Sequence, residues 1–160
     1  MQETNRTEIS TIGEFGLIKR LTEHIQLQNP ESKYGVGDDA AVLEFDQVQT
    51  LVTTDLLMEG VHFDLVYTPL KHLGYKCVTA VTGELYAEMS HPRTMDVRLG
   101  ISAKLDFKHI KEVWEGIAAA AKEHGYKQVT LDLIPSPNGL TISVSSVGET
   151  SLLMGKRRPA

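Results

Sequence analysis

A chain of 160 residues with 41% hydrophobic residues and a net charge of −5 has the size and apolar content of one globular domain, and without a basic stripe interleaved with aromatics it has no footprint for nucleic acid. A single cysteine, Cys77, excludes an internal disulfide framework and a multi-cysteine zinc site, and its apolar neighbours mark it as a small buried hydrophobe of a reducing compartment. Near Met1 there is no signal-peptide core, and no apolar run approaches the ~20 residues that span a bilayer, so a cytoplasmic protein without membrane contact is expected.

In chain order, residues 1–10 are polar and aperiodic, a flexible arm. After Gly13, the residues Phe15, Ile18, Leu21 and Ile25 recur at three- and four-residue steps, which predicts a docking helix ended by Asn29-Pro30. Residues 40–45 and 50–54 read as strands of a hairpin, turned at Asp46 and Gln47, with the register left open. Gly60 breaks the chain, and Val61, Phe63 and Leu65 alternate with His62, Asp64 and Val66, which predicts a further strand with His62 opposite Phe63.

Pro69 begins the clearest helix, whose stripe is Leu70, Leu73, Gly74, Cys77, Val78, Val81 and Leu85, with Thr82 and Glu84 on other faces and Glu84 exposed. A half-buried strand follows over 95–102, with Arg98 on the solvated face. Asp106 caps a third helix that buries Phe107, Ile110, Val113, Trp114, Ile117, Ala118 and Ala121 and stops at His124-Gly125; its alanines 118–121 permit close packing. Val129, Leu131 and Leu133 alternate in a strand, Pro135, Pro137, Asn138 and Gly139 make a turn, and 140–147 gives the last strand. The order predicts an α+β fold in which a mixed β-sheet is covered on one face by helices. It forms one domain over 11–150, with a basic tail over 151–160.

The acidic chemistry gathers in 35–63. Gly35 and Gly37 permit a tight turn that directs Asp38 and Asp39 to one side. Mg²⁺ needs only one or two protein carboxylates beside substrate phosphates, which Asp39 and Asp55 can supply; the same Gly-Asp-Asp spacing also describes an ordinary solvated turn.

The runs Gly13-Glu14-Phe15-Gly16-Leu17-Ile18, Gly35-Val36-Gly37-Asp38-Asp39-Ala40-Ala41-Val42, Thr53-Thr54-Asp55 and Glu59-Gly60-Val61-His62-Phe63 resemble, in order and spacing, the amino-terminal half of thiamine-monophosphate kinase, in the superfamily of aminoimidazole ribonucleotide synthetase. Leu73-Gly74-Tyr75-Lys76, Pro92 and the stretch 139–149 extend the resemblance over nearly the whole chain. It implies an α+β domain that dimerises by joining two sheets into a barrel. It also implies ATP and Mg²⁺, with Asp39 and Asp55 as magnesium ligands, Thr53 and Thr54 as supporting oxygens, and His62 as a contact to thiamine phosphate. Transfer of the γ-phosphoryl group onto a phosphate then depends on positioning and charge neutralisation.

Other positions depart from the family. A metal aspartate of the long helix becomes Glu84, whose extra methylene moves the carboxylate, and a nearby amide becomes Val81. Where the family places Gly-Gly-Asp-Thr-Thr for nucleotide phosphate and metal, this chain has Thr130-Leu131-Asp132-Leu133-Ile134, and only Asp132 is retained. Lys156 falls near a family arginine that contacts nucleotide, and family members continue into a second domain that completes the cleft. The expectation is therefore a thiamine-monophosphate kinase-like domain that is weak or non-catalytic by itself. The alternatives are an active kinase, alone or with a separate chain carrying the second domain, and a dimeric non-enzymatic scaffold or binding protein. A homodimer is expected in each case, because the sheet face without helices, read as alternating apolar residues, needs a cover.

Overall fold

A computed structural model of the chain describes residues 8–32 and 40–151. The first elements are two short helices, α1 (Ile9–Ile12) and α2 (Glu14–Thr22), followed by the hairpin of β1 (Ala40–Phe45) and β2 (Val48–Met58). The hairpin turns at Asp46, which takes φ +53°, a left-handed conformation that the short polar side chain of aspartate tolerates. Its register pairs Phe45 with Val48 and Ala40 with Thr53, settling what the sequence leaves open.

The long helix α3 (Leu70–Ala87) follows, then β3 (His91–Ile101), α4 (Phe107–Glu123), β4 (Gln128–Pro135) and β5 (Thr141–Ser151). The sheet runs in the order β1-β2-β5-β3-β4. β3 and β4 pair in parallel, and α4 is the crossover that such a pair requires; the other neighbours are antiparallel. This is the α+β arrangement expected, a mixed sheet with α3 and α4 on one face.

That face is the core. Leu57, Val97, Leu99, Ile142 and Val144 from the sheet are buried against Leu73, Cys77, Val78, Val81, Val113 and Ile117 of the two helices, and Val42 and Leu51 pack with Leu85 of α3 in a second cluster. The helices meet through glycine. A Cβ on Gly74 would lie 2.0 Å from the carbonyl oxygen of Val113, and one on Gly116 would lie 1.9 Å from that of Lys71, so the two backbones are closer than any side chain permits. The alanine run is not this contact, since Ala120 and Ala121 are buried but Ala118 and Ala119 are exposed. α4 starts as expected at Asp106, whose carboxylate accepts the His109 N–H at 3.1 Å while His109 Nδ1 accepts the Asp106 N–H at 3.1 Å. The His109 N–H holds the Asp106 carboxyl below its usual range.

Several expectations are corrected. Residues 61–66 form turns and no strand: Gly60 sits at φ +83°, and the Val61 and His62 amides both return to the Met58 carbonyl, at 3.1 and 2.9 Å. The apolar stripe of α2 docks on nothing among the described residues, with Phe15 84% exposed, and Phe107 at the start of α4 is 82% exposed. Thr82, assigned to an outer face, is fully buried, because its hydroxyl gives up hydrogen-bonding to water for the Val78 carbonyl at 2.7 Å and the Tyr126 hydroxyl at 2.8 Å. The open sheet face is mixed: Thr54, Ser143, Ser145, Asp96, Arg98 and Thr130 run across its middle, with Phe45, Val48, Leu56, Met58 and Ile134 exposed around them. No described helix is long and apolar enough to cross a membrane.

The glycine contact predicts opposite outcomes for two substitutions on α3 and α4. Gly116→Ala must push the helices apart and should lower stability in urea unfolding by about 1–3 kcal/mol or more. Gly83→Ala, at a helical position with nothing within 4 Å, should instead raise it by roughly 0.5–1 kcal/mol.

Candidate functional site

Successive residues of a strand point to opposite faces, so β2 divides its own polar run. Thr53 and Asp55 share the helix side with buried Leu51 and Leu57, while Thr54 belongs to the open side. Thr53 is 1% exposed, and its hydroxyl donates to the Glu84 carboxylate across the seam between β2 and α3. Glu84 is therefore half-buried and engaged rather than exposed, a correction that follows from its lying about two helical turns beyond Cys77 on the face turned to β2. Asp55, also half-buried, accepts the Leu56 N–H at 2.9 Å through Oδ1. Its charge reaches Cys77: burial first, and then Asp55, pushes that thiol up to about 12, which keeps it a neutral core residue.

The open face carries a second polar group. The Thr54 hydroxyl lies 2.8 Å from that of Ser145. On the next strands, Asp96 accepts from the Thr130 hydroxyl and from Arg98 Nε, the latter at 3.0 Å. Asp132 stands in register beside Arg98, exposed, with Oδ1 accepting the Leu133 N–H at 3.0 Å. Its neighbours Leu131 and Leu133 align with Val97 and Leu99 toward the helix side, where they are 42% and 50% exposed and offer no side-chain donor.

The ligands taken together from the resemblance are thus distributed. Thr53 meets Glu84 at the seam between β2 and α3 and Asp55 lies on the same side of β2, Thr54 and Asp132 lie on the opposite face three strand positions apart, and Asp39 and Lys156 lie outside the described residues. Ala40, which follows Asp39 in sequence, pairs with Thr53. The seam offers only oxygen donors, the chemistry a hard cation such as Mg²⁺ takes, and its two carboxylates match the number that ion uses. Among the described residues no group of three or more His, Cys, Asp and Glu side chains comes together as a metal cluster.

His62 follows β2 in the turn that replaces the expected strand. Its Nδ1 accepts the Met58 N–H at 3.0 Å. A backbone amide can only donate, so Nδ1 carries a lone pair and the neutral ring bears its proton on Nε2, a donor suited to a phosphate oxygen. Sequence reasoning missed the residues that hold these groups. Ser145 lies 91 positions from Thr54 and carries no local signal. Nor does the buried chain of hydroxyls from Thr82 through Tyr126 to Ser146, whose last link is 2.5 Å.

The chain belongs to the family described as AIR synthase related protein, N-terminal domain, which matches residues 37–150. Within it, the chain is a thiamine-monophosphate kinase-like amino-terminal domain. It is 30% identical over 148 residues to a thiamine-monophosphate kinase of Aquifex aeolicus, covering 92% of this chain and 46% of that protein. To the Bacillus subtilis enzyme of the same name it is 29% identical, over 85% of this chain and 42% of the relative. A solved structure described as AaThiL complexed with AMPPCP and TMP superposes with a TM-score of 0.79 at 27% identity, over 92% of this chain and 45% of that one. The chain thus spans less than half the length of these relatives.

The seam makes a prediction about neighbouring threonines. Thr53→Val leaves the Glu84 carboxylate without its buried hydroxyl donor and should cost about 1–3 kcal/mol in denaturant unfolding. Thr54→Val, on the exposed face, should change stability by less than roughly 0.5 kcal/mol.

Proposed function

We propose that the chain binds Mg²⁺-ATP and thiamine monophosphate as the amino-terminal half of a thiamine-monophosphate kinase-type protein, and that by itself it is a weak or inactive kinase. The reading is carried by the bond from Thr53 to Glu84 across the β2–α3 seam, with Asp55 on the same side of β2. Asp55 and Glu84, with Asp39, would hold the metal, which supplies neutralisation of phosphate charge. The Nε2–H of His62 would bind the phosphate of thiamine monophosphate. The relative described with AMPPCP and TMP supports both ligands by similarity.

Low activity follows from what the chain presents to the nucleotide. Leu131, Leu133 and Ile134 offer no side-chain donors to phosphate around Asp132. Each lost phosphate-stabilising group commonly costs about 10²–10³-fold in rate. The enzyme reading without this deficit, an active kinase alone or with a second chain, is the outcome that the assay below would establish.

We also propose that the chain is a homodimer joined through its open sheet face. α3 and α4 cover the other side only, and Leu56 and Met58, 49% and 40% exposed, flank the polar rows of this one. A dimer through this face also serves the scaffold alternative.

Calorimetric titration of ATP should show tightening by Mg²⁺ in the wild type and loss of most of that tightening in Asp55→Asn. Equal tightening in both places the metal elsewhere. A coupled assay with ATP, Mg²⁺ and thiamine monophosphate should show little turnover by the wild type and none restored by Glu84→Asp; robust wild-type turnover overturns the weak-kinase reading. Light scattering at roughly 50 µM, above typical dimer dissociation constants, should give the mass of two chains, and a monomer there refutes the dimer.

A further inference from the structure

We propose that Glu59 is a positioning residue for His62, locking the turn after β2 so that the imidazole keeps one tautomer and presents Nε2–H to an anionic oxygen. The proposal rests on the assignment of His62 to a phosphate, and it starts from an unusual convergence at one end of the sheet. Three loops meet there: the turn that carries His62, the connection from β3 to α4, and the connection from β4 to β5. Glu59 touches all of them. Its main-chain N–H donates to the Leu140 carbonyl at 2.9 Å, and its carboxylate Oε2 accepts the Leu140 N–H at 2.8 Å, so main chain and side chain grip the same residue. Its Oε1 accepts from Lys104 Nζ at 2.7 Å.

The notch for this carboxylate is built into the backbone. Gly139 has φ +101°, and a Cβ there would stand 2.6 Å from Glu59 Oε2, so the carboxylate occupies space that only glycine leaves. Leu140, gripped on the other side, is 1% exposed and anchored in the core. The Glu59 side chain is only 17% exposed. The Lys104 contact, and then the Leu140 N–H, hold its carboxyl below the ordinary 4.5, so it stays ionised throughout the neutral range.

From this anchor the turn is short and closed. Gly60 donates to the Phe63 carbonyl at 2.8 Å, Phe63 is buried in the core, and between them His62 folds back on Met58 through both its own amide and its Nδ1. His62 itself is exposed, and its Nδ1 is held by the Met58 N–H. Its direction depends on the Met58 N–H staying where it is. Met58 is the last residue of β2, paired in register with Thr141, and Glu59 extends that tie past the ladder to Leu140.

The test separates Glu59 from general stability and from the thiamine phosphate assignment. Nitrogen NMR of the His62 ring should show the Nε2–H tautomer in the wild type, a mixture of both tautomers in Glu59→Ala, and near wild-type signals in Glu59→Gln, whose amide oxygen still accepts the Leu140 N–H. In calorimetry, Glu59→Ala should weaken thiamine monophosphate binding about fivefold or more, the scale of coupling between residues of one network. In a His62→Ala background the same change should have less than about a twofold effect, because its target is gone. A folded Glu59→Ala protein with an unaltered His62 tautomer overturns the proposal, and so does an equal loss of affinity in both backgrounds. If the wild type binds no thiamine monophosphate, the substrate assignment fails, and the ring signals alone decide whether Glu59 positions His62.

Discussion

The two-residue period of β2 is the constraint on which the site depends. The strand is held on both sides, by β1 and by β5, and its register is pinned because Leu51, Thr53 and Leu57 must stay under the helices. A slip of one residue would bury Thr54 and Leu56 in their place and turn Thr53 and Asp55 to the other face. Thr53 and Thr54 are adjacent and chemically identical, yet one meets Glu84 of the long helix and the other meets Ser145 of the neighbouring strand. The strand's alternation, rather than residue type, assigns their roles.

The other half of the seam is set by the packing of α3. Gly74 and Gly116 bring its backbone against α4, and the same helix lays Cys77 and Val81 on the sheet, which leaves Glu84 at the height of Thr53. Polar contacts are concentrated toward this end of the helix, where Thr82, Tyr126 and Ser146 share a chain of hydroxyls beneath it. Tyr126 is correspondingly held in its neutral form, with burial outweighing the two hydrogen bonds.

The open face has a different character. Its rows of Thr54, Ser145, Asp96 and Thr130, and of Leu56, Ser143, Arg98 and Asp132, are polar enough to be hydrated, and Asp132 belongs to them rather than to the seam. A carboxylate that is on the strand expected to serve nucleotide, but on the face away from Asp55 and Glu84, does not join their charge within one chain. The strand that carries Asp132 presents it on the open face and Leu131 and Leu133 on the other.

Consecutive residues determined a good deal by themselves. The periodicity of 70–85 specified α3, Asp106 specified the start of α4, and alternation marked β3, β4 and β5, because helices and half-buried strands write their period into neighbouring positions. The sequence pattern also carried the family and the identity of Thr53, Asp55 and His62 as the polar residues of interest. It misread 61–66, where apolar alternation in a short span is compatible with turns once Gly60 and the Met58 carbonyl redirect the amides. The rest was decided by tertiary structure. The split of the oxygen ligands between two faces, the bond from Thr53 to Glu84, and the notch that receives Glu59 at Gly139 all join residues 31 to 91 positions apart or are created by such joins. Strand order and register set those encounters, and neither is a property of any short stretch of chain.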